Sequence, residues 1–144
     1  MKNTINKYFE VKVKLQKTME DGQQKKVSEQ YVVEAATFGE AERRIAECLK
    51  PYIEREFEVT DIKIAGYGQI INDNQDADKF VKAKVSFVTL DETTGKEKKT
   101  SELYLVQSDT LESAETDVKS LLNDNNTTIS SISETAILDV FPLD

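Results

Sequence analysis

The sequence contains no histidine and only one cysteine, and these two shortages exclude several classes of enzyme. Without histidine there is no Ser-His or Cys-His catalytic pair, no imidazole acid-base catalyst and no histidine-ligated zinc site. The single cysteine, Cys48, permits no disulfide within the chain and no metal cluster of four cysteine ligands. The five glycines form neither of the phosphate-binding patterns GxxxxGK and GxGxxG.

Long apolar runs are missing as well. Residues 1–10 lack the apolar segment of a secretory signal, and no window approaches the roughly 18 apolar residues of a membrane-spanning helix. We therefore expect a soluble protein of the cytoplasm.

The 144 residues have a size and an apolar fraction, 38%, that suit one compact domain with a hydrophobic core. Acidic residues outnumber basic ones by 27 to 19, which gives a net charge of −8. This excess of negative charge argues against a protein whose whole surface binds nucleic acid or anionic lipid, although a local basic patch is still compatible with it.

The chain contains an internal sequence repeat of two copies. A shift of 73 residues aligns positions 22–50 with 95–123 and produces 11 identities, among them Gly22 with Gly95 and Tyr31 with Tyr104. The offset is 72 upstream of this stretch and about 70 downstream of it. We interpret the pattern as two repeats covering about 7–71 and 79–141.

Each repeat predicts the same four elements. Alternating apolar residues indicate a first strand in each copy, at Phe9–Leu15 and Val81–Phe87, and a glycine-containing loop leads to a second strand. A helix opened by Thr37 or Thr110 follows, with apolar residues at i, i+3, i+7, i+10 and i+11. A third extended segment closes each copy, over 57–71 and 129–141.

The predicted fold is α+β, with two tandem strand-strand-helix-strand repeats. In each repeat a crossover from the second strand to the third gives a three-stranded antiparallel sheet with the helix packed on one face. One copy alone is too small to be robustly stable, so we expect the two to pack as a single pseudo-twofold domain over residues 1–144.

Several separated segments resemble an uncharacterised family, the domain-of-unknown-function family 4494 of gut Bacteroidetes. The resemblance rests on residues 8–13, on 31–35 with 38–42, on 76–85 and on the ending at 137–142. It covers nearly the whole chain and implies a bacterial source. It implies no activity, cofactor or catalytic residue.

Two features that could carry chemistry have simpler structural explanations. Cys48 lies on the apolar stripe of its helix, where the second copy has Leu121, so we expect both side chains in the core. The acidic joint at Asp73, Asp76 and Asp78 does not fit the spacing of a calcium-binding loop and is interpreted as a solvated turn. We therefore expect no metal, no cofactor and no catalytic residues.

Charge is unevenly distributed along the chain. The first strand of each repeat has a lysine-rich polar face, with an aromatic residue beside the lysines. This candidate partner-binding face comprises Tyr8, Lys12, Lys14, Phe80, Lys82 and Lys84. Such lysines also keep exposed strands from pairing with other chains, which is the simpler explanation.

These observations predict a non-enzymatic protein-interaction or assembly module. The first alternative is a weak binder of single-stranded nucleic acid that uses the lysines and aromatic rings. The absence of arginine from both hairpins argues against specific recognition of phosphates or bases. The second alternative is an enzyme that uses carboxylates or a divalent metal.

Overall fold

The computed structural model describes residues 6–53, 56–122 and 127–143 of the chain. These residues form eight strands and two helices, in the order β1 (Lys7–Thr18), β2 (Gln24–Ala35), α1 (Phe38–Leu49), β3 (Phe57–Ala65), β4 (Tyr67–Ile71), β5 (Phe80–Leu90), β6 (Glu97–Gln107), α2 (Leu111–Leu121), β7 (Thr127–Glu134) and β8 (Ile137–Phe141). The α+β class, with two helices and two mainly antiparallel sheets, confirms the sequence prediction.

The chain divides into two compact units, one made of residues 1–65 with 137–144 and the other of residues 66–136. The first unit contains a sheet of order β3-β1-β2-β8, and the second a sheet of order β4-β6-β5-β7. Each sheet is antiparallel except for its five-residue edge strand, β8 or β4, which runs parallel to its neighbour.

The repeats therefore exchange their last strands. β4 follows the first repeat in sequence but pairs with β6, and β8 follows the second repeat but pairs with β2. The sequence predicted a three-stranded sheet closed by one continuous third segment. The structure instead ends that segment at Ala65, and each sheet gains a fourth strand from the other repeat. The single domain over residues 1–144 stays a prediction.

The register is the same in both units. Val33 lies opposite Phe141 in the first sheet, and the equivalent residues Val106 and Ile71 lie opposite each other in the second. Bulges occur at matching places in the two sheets. Gly22 and Gly95 adopt positive φ angles of 84° and 70° in the two hairpin loops, a conformation that favours glycine.

The core of each unit lies between its helix and one face of its sheet. Ala41, Ile45 and Leu49 of α1 are buried against the alternating apolar residues of β1 and β2. Ala114 and Val118 of α2 occupy the equivalent positions in the second unit. Each helix begins as the sequence predicts, because the hydroxyl of Thr37 or Thr110 accepts a hydrogen bond from the backbone N–H three residues later.

The prediction that Cys48 and Leu121 are both core residues is wrong for Leu121, which is 50% exposed, and Cys48 is only half-buried. Both residues lie at the margin of the helical stripe, about 60° around the helix axis from the buried residue three positions earlier. In the second unit the half-buried Leu122 packs against the core.

Candidate functional site

The lysine-bearing strand of the first unit places its charges on the sheet face opposite α1. Lys12 and Lys14 are exposed there, and Tyr8 is half-buried. The neighbouring strand β3 carries carboxylates at the matching positions, since Lys12 lies opposite Asp61 and Lys14 lies opposite Glu58. Positive and negative side chains therefore alternate across this part of the sheet.

A cavity of about 620 Å³ lies at the end of the first sheet where Lys14 and Glu58 are paired. Lys14 and Lys26 line it from β1 and β2, and Glu56 and Glu58 line it from the other side. With charges of both signs in its wall, the cavity has no marked preference for an anion or for a cation.

The second unit differs in how it holds its lysines. Lys84 is exposed, whereas Lys82 is half-buried and its Nζ atom lies 5.9 Å from the ring centroid of Tyr67 on β4. A cation over an aromatic face at this distance is electrostatically attracted to it. The exchanged strand β4 thus supplies a ring that the sequence did not assign to this lysine.

Phe80 does not offer an open aromatic surface, because it is only 2% exposed. Leu105, which lies opposite Lys82 on the neighbouring strand, is also fully buried on this sheet face. The ring of Phe80 is therefore buried rather than open beside the lysines of β5, and its role in the candidate partner-binding face stays a prediction. Of the six residues in the candidate partner-binding face, three lie in each unit.

The outer edges of the two sheets differ in charge. β3 and β7 occupy equivalent edge positions, but β3 carries Glu58, Asp61 and Lys63 where β7 carries the uncharged residues Thr128, Ser131 and Ser133. β7 contains no proline, and its only charged residue is Glu134 at its last position. This difference was not predicted from the sequence, although aligning the repeats at an offset of 70 displays it.

An arginine on α1 forms hydrogen bonds with backbone carbonyl groups at one end of the first unit. The Arg44 side chain on α1 donates from Nε to the carbonyl oxygen of Glu34 at 2.9 Å, and from Nη2 to the carbonyl oxygens of Phe141 and Pro142, both at 3.2 Å. The carboxylate of Glu34 in turn accepts from the backbone N–H of Leu143 at 2.9 Å. These contacts fix the end of β8 against β2 and α1.

The second unit has a cavity of about 500 Å³ beside the equivalent helix positions. Asp117, which aligns with Arg44, lines it together with Ser113 and Ser120 of α2. Ile71 at the end of β4 and Asp73 just beyond it form the opposite wall. This replacement of arginine by aspartate was also missed, although the repeat alignment contains it.

Cys48 is the only thiol in the chain. Burial raises its pKa, the negative charges of Glu47 and Asp139 raise it further, and the Arg44 guanidinium opposes them. A thiol in this state is a poor nucleophile at neutral pH, because little of it is present as thiolate.

The acidic joint does not gather into a cation site. Within residues 6–53, 56–122 and 127–143, no three side chains of the metal-binding acidic, cysteine or histidine types come together in a suitable group. Asp73, Asp76 and Asp78 are all exposed, and the backbone N–H of Asp78 donates to the carboxylate of Asp109 at 3.2 Å.

Comparison with known protein families agrees with the resemblance that the separated sequence segments show. The family described as Domain of unknown function (DUF4494) matches residues 7–143. The chain belongs to this family. No curated protein and no solved structure matches it.

The match to DUF4494 runs from the start of β1 to the residues after β8, so it includes both repeats and both exchanged strands. Neither helix in the described part of this DUF4494 chain is long and apolar enough to cross a membrane.

Proposed function

We propose that the chain is a non-enzymatic protein-interaction module that binds a partner by adding an extended partner segment to the outer edge of β7. Eight residues of β7 form this edge, from Thr127 to Glu134. An edge strand presents unpaired N–H and C=O groups that can continue the sheet. Strand addition draws its affinity from these main-chain hydrogen bonds.

The observation that carries the proposal is the difference between β7 and β3. Charged side chains on an edge strand discourage the approach of another strand, and β3 has three of them on the sheet face opposite its helix. β7 has hydroxyl side chains at the same three positions. Both strands contain the same bulge, so the bulge does not account for the difference.

The nucleic-acid alternative has less support. Acidic residues lie opposite Lys12 and Lys14 on β3, which reduces the attraction of this face for phosphates. Phe80 is buried, and Lys82 lies against Tyr67. The alternative expected β1 and β5 to bind single-stranded nucleic acid. Neither strand combines lysines that are free of acidic neighbours with exposed aromatic rings.

The proposal is tested with three tagged baits: the wild-type chain, a β7 variant that receives two of the three charges of β3 (Ser131→Asp with Ser133→Lys), and a β3 variant that loses the same two charges (Asp61→Ser with Lys63→Ser). Each bait is incubated with an extract of the cells that express the chain and with a differently tagged copy of the chain itself. Bound proteins are quantified by mass spectrometry. We expect one partner to be retained by the wild type and the β3 variant and reduced about tenfold or more by the β7 variant.

Circular dichroism melts of all three baits show whether each is folded, and exposed edge substitutions of this kind usually change stability by less than about 0.5 kcal/mol. Retention of no protein by the folded wild type would overturn the proposal. Equal retention by all three folded baits, or loss with the β3 variant, would overturn it too.

A further inference from the structure

The guanidinium of Arg44 serves as an internal ligand of the first unit. It donates to three backbone carbonyl oxygens, those of Glu34, Phe141 and Pro142. A planar guanidinium has five N–H donors in a fixed arrangement, so it can satisfy several acceptors at once. The backbone carbonyl groups at the ends of β2 and β8 thus form a receptor for this group.

The second unit has the equivalent arrangement of strands and helix at the position that corresponds to Arg44. Ile71 lies opposite Val106 in the register that places Phe141 opposite Val33, and α2 carries Asp117 where α1 carries Arg44. Aspartate is shorter than arginine and has no hydrogen-bond donor when ionised. A cavity of about 500 Å³ lies beside it, with Ile71 in the wall.

We propose that this cavity binds a guanidinium group supplied from outside the chain. Two carboxylates in its wall, those of the exposed Asp73 and the half-buried Asp117, are suitable counter-ions. The combination of guanidinium and carboxylate allows strong, charge-assisted and bidentate hydrogen bonds.

The size of the cavity fits a guanidinium carried on a flexible chain. Its volume lies within the roughly 300–1,000 Å³ that is typical of small-ligand pockets, so the methylene chain of an arginine can enter with the charged group. The half-exposed Leu121 lines the cavity and offers an apolar contact for those methylenes. The site does not depend on strand addition at β7, and either proposal can fail without the other.

The probes are N-acetyl-arginine methylamide, which represents an arginine in a protein, and free L-arginine, which represents a small guanidino compound. N-acetyl-lysine methylamide is the matched cation without a planar donor group. Each is titrated into the ¹⁵N-labelled full chain while the amide NMR signals are recorded. We expect saturable shifts confined to residues 69–74 and 113–121 with at least one guanidinium probe, and binding of the lysine probe about tenfold weaker.

Three variants locate the site. Asp117→Asn removes the charge and should weaken binding at least fivefold, and Asp117→Arg supplies an internal guanidinium and should abolish it. Glu112→Gln removes an equal charge from the first turn of α2, outside the cavity lining, and should leave affinity within about twofold. The tighter of the two guanidinium probes identifies the source of the ligand, and either result supports the proposal.

No saturable binding of a guanidinium probe to the wild type would overturn the proposal. Equal affinity for the lysine probe, an equal effect of Glu112→Gln and Asp117→Asn, or retained binding by the folded Asp117→Arg variant would overturn it as well.

Discussion

Thr60 and Ser130 occupy the same bulge in the two units and make the same hydrogen bond. The Thr60 hydroxyl donates to the carbonyl oxygen of Lys12 at 3.3 Å, and the Ser130 hydroxyl donates to that of Lys84 at 3.2 Å. In both sheets the bulge lies between the edge strand and the lysine-bearing strand. A local irregularity reproduced with its hydrogen bond supports a common origin for the repeats.

The two bulge hydroxyls should differ in their contribution to stability. Ser130 also accepts a hydrogen bond from the nearly buried hydroxyl of Ser86 at 3.1 Å, so Ser130→Ala leaves Ser86 without this acceptor. We expect Ser130→Ala to lower the free energy of unfolding by about 1–2 kcal/mol and Thr60→Ala by about 0.5–1 kcal/mol. Urea unfolding measures both, and a larger loss with Thr60→Ala would contradict this assignment.

Arg44 should be important for holding β8 in place. Arg44→Ala removes three hydrogen bonds to backbone carbonyls, and we expect the free energy of unfolding to fall by about 2 kcal/mol. Amide hydrogen exchange in residues 139–143 should accelerate more than exchange in β1. The exposed neighbour Arg43 provides the control, and an equal loss with Arg43→Ala would show that the contacts of Arg44 are not responsible.

Stability should fall at alkaline pH because of Tyr31. Burial raises the pKa of its phenol well above the ordinary value, the hydrogen bond that it donates to Glu29 at 2.7 Å adds to the shift, and so do the charges of Glu29 and Asp139. A raised folded-state pKa contributes stability that is fully present below the unfolded value of about 10 and is lost as the pH rises through the folded value.

Urea unfolding at several pH values between about 9 and 11.5 measures this loss. Tyr31→Phe keeps the stacking with Phe141, whose ring centroid lies 5.8 Å away, but has no proton to lose. The free energy of unfolding should therefore decline less steeply in the variant than in the wild type. Parallel declines would show that Tyr31 is not the group responsible.

Cys48 should react slowly with alkylating reagents in the folded chain. Its pKa is raised, chiefly by burial, so we expect iodoacetamide at pH 8 to modify it about tenfold more slowly than a small free thiol. Glu47→Gln removes one of the charges that raise the pKa and should speed the reaction. A folded-state rate equal to that of the urea-unfolded chain would contradict this prediction.

The local elements could be predicted because their signals are local. Alternation placed β1 and β5, and the threonine caps placed the starts of α1 and α2. The placement of β4 and β8 depends on which of two similar sheets each strand joins. Their sequences are equivalent by repeat, so the apolar pattern alone does not distinguish the two arrangements.

Chain geometry does distinguish them. Within the first sheet, the place beside β2 lies three strand spacings from β3, or about 14 Å at roughly 4.8 Å per spacing. Only Gly66 separates β3 from β4, and the two residue spacings from Ala65 to Tyr67 reach at most about 7 Å. β4 therefore cannot reach the place beside its own β2, which is occupied by β8 instead.

The candidate surfaces were harder to predict for a related reason. The lysines of β1 and β5 were visible in the sequence, but the carboxylates opposite Lys12 and Lys14 and the ring beside Lys82 follow from strand order. Arg44 is replaced by Asp117 and Asp61 by Ser131 in the second repeat. Repeats are recognised by the residues that they share, so positions at which they differ do not contribute to the signal. The functional proposals come from those differences.

The measurement that tests the exchange of strands most directly is a set of side-chain nuclear Overhauser contacts across β4 and β8, because the guanidinium proposal compares residues matched through these strands. We predict contacts of Phe141 with residues adjacent to Val33 on β2, and of Ile71 with residues adjacent to Val106 on β6. Contacts of Phe141 with β6 and of Ile71 with β2 would show that each repeat keeps its own last strand, and would contradict the account.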